Sequence, residues 1–274
     1  MNYIDCLKKM KYIPSGKIYK DIFKQIVLVV KRNKEIYVAK VSSYDDDVNK
    51  SSMRTEVEAL KFFTYELPLV FFPKYIDYLE CDETKIVIME HIPGEVLFDL
   101  WEKKLNKLFW KSLLYQLILV VYIMESNKIL HNDFIDTNII ISPAKSSFSV
   151  EYDNKTYDVP FAGFIVKIID FQYMNQYTRD PMISSYYVNS RKKEFANDKR
   201  ALGWSSKFHV GGDLNQILGI LTRYNSMPVK IRDSINLLVE NNTRGKYFST
   251  IDYENKKTSG DYLLKNFNTL FDFS

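Results

Sequence analysis

The sequence predicts a two-lobed α+β fold, with a small β-rich N-terminal lobe and a larger helical C-terminal lobe. Three observations carry this prediction. β-Branched runs crowd the first ninety residues, Pro93-Gly94 breaks the pattern, and an apolar helical stretch follows over 108–127. The chain reads as a single domain over 1–274, with lobes over about 1–91 and 92–274. A junction near residues 90–95 would place a ligand cleft between the lobes, where packed units meet.

In chain order, Ile26-Val27-Leu28-Val29-Val30 and Ile36-Tyr37-Val38-Ala39-Lys40-Val41 read as strands joined through Lys31–Glu35 as a hairpin. Ser51 to Tyr65 reads as a helix with a serine-rich start and apolar residues at Val57, Leu60 and Phe63. Lys85 to Met89 is a further strand. Beyond Gly94, Glu95 to Leu105 and Leu108 to Asn127 are expected as helices, the second buried because it is apolar nearly all round. Asn138 to Ile141 and Phe164 to Ile169 read as strands. Between them, Phe148 to Val159 forms a hairpin turning at Asp153-Asn154-Lys155. From Gly212 onward the pattern is mainly helical.

The composition, 46% hydrophobic and 26% charged over 274 residues, supports an ordinary hydrophobic core. A net charge of +4 is too mild and too scattered for a nucleic-acid binder, so none is expected as a partner. Cys6 and Cys81, the two cysteines, exclude a disulfide-rich scaffold and lack metal-site spacing. A reducing, intracellular and cytoplasmic setting is expected on that basis. Met1 to Met10 is too polar for a secretory signal. Leu113 to Met124, interrupted by Gln116, falls short of the roughly 20 residues a membrane span needs.

The chemistry concentrates in His131-Asn132-Asp133-Phe134-Ile135-Asp136-Thr137-Asn138. An Asp with an Asn five residues later on one loop can set a carboxylate at an acceptor hydroxyl and an amide oxygen on a metal. Phosphoryl transfer needs that positioning more than covalent help. Magnesium takes hard oxygen ligands and retains waters, so one further carboxylate suffices beside nucleotide phosphates. Asp170, at the end of the apolar strand, supplies it from a rigid position.

These segments resemble the eukaryotic-type protein kinase family. His131-Asn132-Asp133 stands where that family has His-Arg-Asp, and Asp170-Phe171-Gln172 where it has Asp-Phe-Gly. Val38-Ala39-Lys40 resembles the Val-Ala-Ile-Lys strand, and Arg54 to Leu60 the regulatory helix. Ile88 to Glu95 resembles the hinge, and Gly212-Asp213-Leu214 the helix whose aspartate braces the catalytic loop. The resemblance implies a kinase fold, ATP with Mg2+, and a protein substrate.

By the same resemblance, Asp133, Lys40 and Glu56 are the catalytic residues, with Glu58 the alternative partner of Lys40. Asn138 and Asp170 are the metal ligands. Nucleotide contacts come from Ile18, Ile26, Ala39, Lys40, Met89 as gatekeeper, the backbones of Glu90 and Ile92, and Glu95 at the ribose. Asp213 is either the loop brace or a plain helix cap. The 148–159 hairpin ahead of Asp170, with His-Asn-Asp, is similar to kinase-like proteins of large DNA viruses, whose setting would be host cytoplasm or virion.

The sequence departs from the family in three places. Ile18 to Gln25 holds no glycine where a glycine-rich loop is expected to bring amides to phosphates. Lys20 and Lys24 are candidate replacements, or a solvated turn. Ile135 occupies the place of a phosphate-contacting lysine, and Gln172 the place of a glycine. No Ala-Pro-Glu closes the segment before Asp213, and Asp180-Pro181 resembles aminoglycoside-type kinases. The leading expectation is a serine/threonine protein kinase. The alternatives are a small-molecule kinase resembling aminoglycoside and choline kinases, or a nucleotide-binding pseudokinase scaffold.

Overall fold

β-Branched side chains pack well on a pleated surface, and the Ile26 to Val30 run builds the middle of the N-terminal lobe. The computed structural model describes residues 3–20, 26–43, 47–82, 84–177, 208, 210–239 and 259–273. Helix α1 (Tyr3–Lys9) precedes strands β1 (Ile13–Lys20), β2 (Ile26–Arg32) and β3 (Glu35–Ser43). Helix α2 (Asp47–Tyr65) follows, then β4 (Tyr75–Cys81) and β5 (Thr84–Glu90). The five strands form one antiparallel sheet in the order β1-β2-β3-β5-β4.

The expected hairpin turns on Asn33 and Lys34, both at positive φ, the geometry that lets a two-residue turn follow strand twist. Helix α2 begins ahead of the expected Ser51. It starts at Asp47, so Ser51 lies inside it.

The register divides the sheet into two faces. Ile26, Leu28, Ala39, Val41, Ile86 and Ile88 face α1, forming a small core with Cys6, Leu7 and Tyr12. Val38, Val87 and Met89 belong to the main core on the α2 side. The Tyr12 hydroxyl donates to Asp77 at 3.3 Å, and the Arg32 guanidinium covers its ring. Cys6 of α1 and Cys81 of β4 form a disulfide, with Cα atoms 6.1 Å apart. The two cysteines therefore no longer argue for a reducing compartment.

The second lobe runs through β6 (Glu95–Val96), the 3-10 turn Leu97–Leu100, α3 (Lys107–Ser126) and β7 (Ile129–Leu130). The 3-10 turn Asp136–Asn138 leads into β8 (Ile139–Pro143), the hairpin β9 (Ser149–Tyr152) and β10 (Lys155–Asp158), β11 (Phe164–Ile168) and β12 (Asn175–Gln176). Helices α4 (Gly212–Leu221), α5 (Val229–Leu238), α6 (Gly260–Lys265) and α7 (Phe267–Leu270) complete it. The hairpin turns on Asp153 and Asn154, as the sequence predicts.

The helix expected over 95–105 does not form. Glu95 and Val96 instead pair with Ile141 and Ile140, making a three-stranded sheet in the order β11-β8-β6. Gly94 permits this approach: its φ is 144°, and a Cβ there would lie 2.3 Å from the Ile141 carbonyl oxygen.

Helix α3 is long and apolar enough to cross a membrane by length and composition, yet 72% of that window is buried inside the protein. It is the axis of the main core. Gln116 interrupts its apolar surface to bond the edge strand β11, donating to Phe164 O at 3.4 Å and accepting from Val166 N at 2.8 Å. A buried strand edge needs such partners.

Replacing Gly94 combines a disfavoured φ with a backbone clash. Urea unfolding of Gly94→Ala is expected to show a loss of about 2 kcal/mol or more, and a loss below about 0.5 kcal/mol would contradict this reading of β6.

Candidate active site

Strand alternation places Lys40 on the face of the sheet opposite Ala39. There its ammonium meets two carboxylates, Glu56 of α2 at 2.9 Å and Asp170, just after β11, at 2.5 Å. Glu56 is thus the partner. Glu58 is half exposed and pairs instead with Lys61 at 3.7 Å. Burial by itself would lower the Lys40 pKa, but Asp170 and Glu56 outweigh it and raise it. Burial raises Glu56 against the pull of Lys40. Burial also acts to raise Asp170, but Lys40 overcomes that and holds it low. The site therefore keeps Asp170 ionised, the state that holding a metal would require.

Asp170 stands at φ 67°, a left-handed conformation that Asp tolerates better than most residues. This turn aims its side chain at Lys40 and sends Phe171 into the core. Phe171 packs with Phe63 of α2 at 5.1 Å and with His131 at 5.3 Å, and Phe63 stacks on Phe72 at 3.8 Å. Four rings thus fix the distance between α2 and the catalytic loop.

The loop itself hangs on Asp213, near the start of α4. Its two carboxylate oxygens accept from the backbone of His131 at 2.7 Å and Asn132 at 3.0 Å. Asp213 is therefore the brace rather than a plain cap. Burial raises its pKa to about 6, with those two amides opposing the rise. Asn132 occupies the left-handed region at φ 64°, and its amide donates to Tyr173 O at 2.9 Å. His131 shares a hydrogen bond with Ile169 O, and burial lowers its pKa to about 4, so it is neutral.

Asn138 donates to the Asp133 backbone and to Asp133 Oδ2 at 2.9 Å. The other carboxylate oxygen, Oδ1, is buried and has no hydrogen-bond partner among the described residues. Burial, with Asp170 adding repulsion, raises Asp133 to about 7. A buried acceptor with no partner costs stability, so it marks a place where a donor belongs.

Among the described residues no three His, Cys, Asp or Glu side chains could hold a metal by themselves. Asp170 with the oxygen end of the Asn138 amide, whose nitrogen is already committed, fits a magnesium ion completed by nucleotide phosphates and waters. Among the residues expected to contact nucleotide, Met89 is buried at the end of β5. The Glu90 amide donates to Lys74 O at 2.9 Å, which leaves its carbonyl as the group for an adenine edge. Ile92 follows in the connection to β6, and His91 beside it is half-buried. Glu95 is exposed and bound to Lys103 at 2.8 Å.

Two expected contacts are corrected by register. Ala39 and Ile26 belong to the α1-side core, whereas Val38 and Val27 share the face of Lys40, which pairs directly across from Val27. The period of two in β3 was the signal: a residue two before Lys40 shares its face, and one before it does not. Ile18 pairs with Leu28 in the β1–β2 register. Residues 21–25 with Lys24, the basic residues Arg191 to Lys193 and Lys199-Arg200, and Asp180-Pro181 lie outside the described residues.

A protein kinase domain family model matches residues 22–192. The chain belongs to the protein kinase domain family. A crystal structure of a kinase domain also aligns with it at 18% identity and a TM-score of 0.46, covering 62% of this chain and 52% of that one. The match thus spans about half of the solved chain's length. No curated protein matches the sequence. Within the kinase family, the Lys40, Glu56, Asp133, Asn138, Asp170 and Asp213 correspondences are all brought together by the structure, and Ile135 stays the departure inside the loop.

The raised Asp133 pKa has a thermodynamic consequence. The folded chain binds this proton more tightly than the unfolded one, so this group's contribution to stability is full below about pH 4 and is lost as pH rises through about 7. Asp133→Asn is expected to be more stable than wild type at pH 8, by on the order of 1–3 kcal/mol, with the difference vanishing near pH 4. Urea unfolding at both pH values checks this; equal stabilities at pH 8 would contradict the raised, buried carboxyl.

Proposed function

We propose that this protein is an ATP-dependent phosphotransferase that acts on serine or threonine hydroxyls of a protein substrate. The partnerless Asp133 Oδ1 carries the reading, because it offers a buried base near neutral pKa where an acceptor hydroxyl would donate. As the hydroxyl oxygen bonds to the γ-phosphorus and ADP leaves, Asp133 takes the hydroxyl proton. Lys40, fixed by Glu56, holds the α- and β-phosphates. Asn138 and Asp170 hold magnesium, which when bound neutralises phosphate charge. Val27, Val38 and Met89 line the adenine side, and the Glu90 and Ile92 backbones pair with its edge.

A small-molecule kinase is the second reading, favoured by Ile135 in place of a phosphate-contacting lysine. The complete set of Lys40, Asp133, Asn138 and Asp170 speaks against a pseudokinase scaffold. The 148–159 hairpin and the His-Asn-Asp sequence support kinship with kinase-like proteins of large DNA viruses. Use of ATP supports an intracellular setting, in which the Cys6–Cys81 disulfide would have to persist.

Transfer of labelled γ-phosphate to casein, compared with a panel of amino alcohols, tests the assignment. Wild type is expected to label casein with magnesium present, and Asp133→Ala and Asp170→Asn to lose activity by about 100-fold or more. Labelling of an amino alcohol alone would move the chain to the small-molecule class. Rates equal to Asp133→Ala for every acceptor would leave only the scaffold.

A further inference from the structure

Glu125 is the penultimate residue of the apolar helix α3 and is buried, although nothing in phosphotransfer calls for a carboxylate there. Its two oxygens leave in different directions. Oε1 accepts from the Gly211 amide at 2.6 Å, and Oε2 accepts from the Gly260 amide at 2.8 Å. Gly211 is the N-cap of α4 and has no side chain with which to cap it. Gly260 opens α6, whose backbone approaches α3 so closely that a Cβ at Gly260 would lie 2.4 Å from Tyr122 Cα. One carboxylate therefore ties the starts of two helices to the helix that leads into the catalytic loop.

The connection to the loop is short. Two residues beyond Gly211 stands Asp213, whose carboxylate fixes the amides of His131 and Asn132. Burial raises Glu125 to about 7 while the Gly211 and Gly260 amides oppose the rise, and Asp213 and Asp261 are the acidic groups that repel it. A carboxylate kept beside Asp213 against that repulsion needs an offsetting role, and its two backbone bonds supply one.

We propose that Glu125 is a positioning residue for the catalytic loop, acting through Gly211 and Asp213. It does not touch substrate. It sets the start of α4, and so the height at which Asp213 presents its oxygens to His131 and Asn132. The consequence for turnover rests on the phosphotransfer reading, whereas the consequence for the loop does not.

Hydrogen exchange on the full chain separates the two. Glu125→Gln keeps the shape but can accept only one of the two amide bonds. It is expected to speed exchange at the His131 and Asn132 amides by about tenfold while β2 and β3 exchange as in wild type. Glu125→Asp, too short to reach both amides, provides a second variant should the first not fold. Added to Asp213→Asn, either change is expected to have no further effect on the loop amides. Unchanged loop exchange, an equal rise throughout the protein, or effects that multiply with Asp213→Asn would overturn the proposal. With transfer activity present, kcat should fall severalfold with KM for ATP unchanged. An inactive wild type with the exchange pattern intact would reject phosphotransfer and keep the positioning role.

Discussion

One buried ammonium between two carboxylates organises this molecule. Lys40 comes from the N-terminal sheet, Glu56 from the helix behind it, and Asp170 from the strand that ends the second lobe's sheet. Burying charges is costly unless each is paired, so the three groups are stable only when the sheet, helix and strand end meet correctly. Two negative groups face one positive group, an imbalance that a bound cation at Asp170 would relieve. Behind the charges, the Phe72, Phe63, Phe171 and His131 rings form a continuous apolar support. Electrostatic geometry in front is thereby tied to packing at the back.

The catalytic elements depend on backbone conformations that most residues avoid. Asn132 and Asp170 both occupy the left-handed region, at φ 64° and 67°. Asn and Asp are the non-glycine residues best suited to it, and in each case the conformation directs a functional group. At Asn132 it turns consecutive amides toward Asp213; at Asp170 it separates a cleft-facing carboxylate from a core-facing phenyl ring. Gly94 plays the matching part at the lobe junction, letting β6 lie against β8, which descends from the catalytic loop.

Much of this was legible in the residues. The His131 to Asn138 spacing, Lys40, Glu56 and the strand ending at Asp170 marked the site because each needs a particular residue type at a particular place. Ala39 and Ile26 were misplaced because matching a motif by composition ignored the alternation of β2 and β3, which puts Val27 and Val38 beside Lys40 instead. The helix expected over 95–105 failed because local propensity yielded to pairing with Ile140 and Ile141, far along the chain. The Cys6–Cys81 bond and the Glu125 tie had no local signal at all. Each depends on α1, β4, α4 and α6 arriving from distant sequence, and single glycine amides leave no side-chain pattern to read.

Under the proposed phosphotransfer function, Lys40, Glu56 and Asp170 form a site prepared for a nucleotide and its metal. Calorimetric titration of ATP with and without magnesium tests it most directly, in wild type and in Asp170→Asn. Magnesium is expected to tighten ATP binding to wild type, and Asp170→Asn to lose this tightening. Binding indifferent to magnesium in wild type, or a magnesium effect that survives Asp170→Asn, would contradict it.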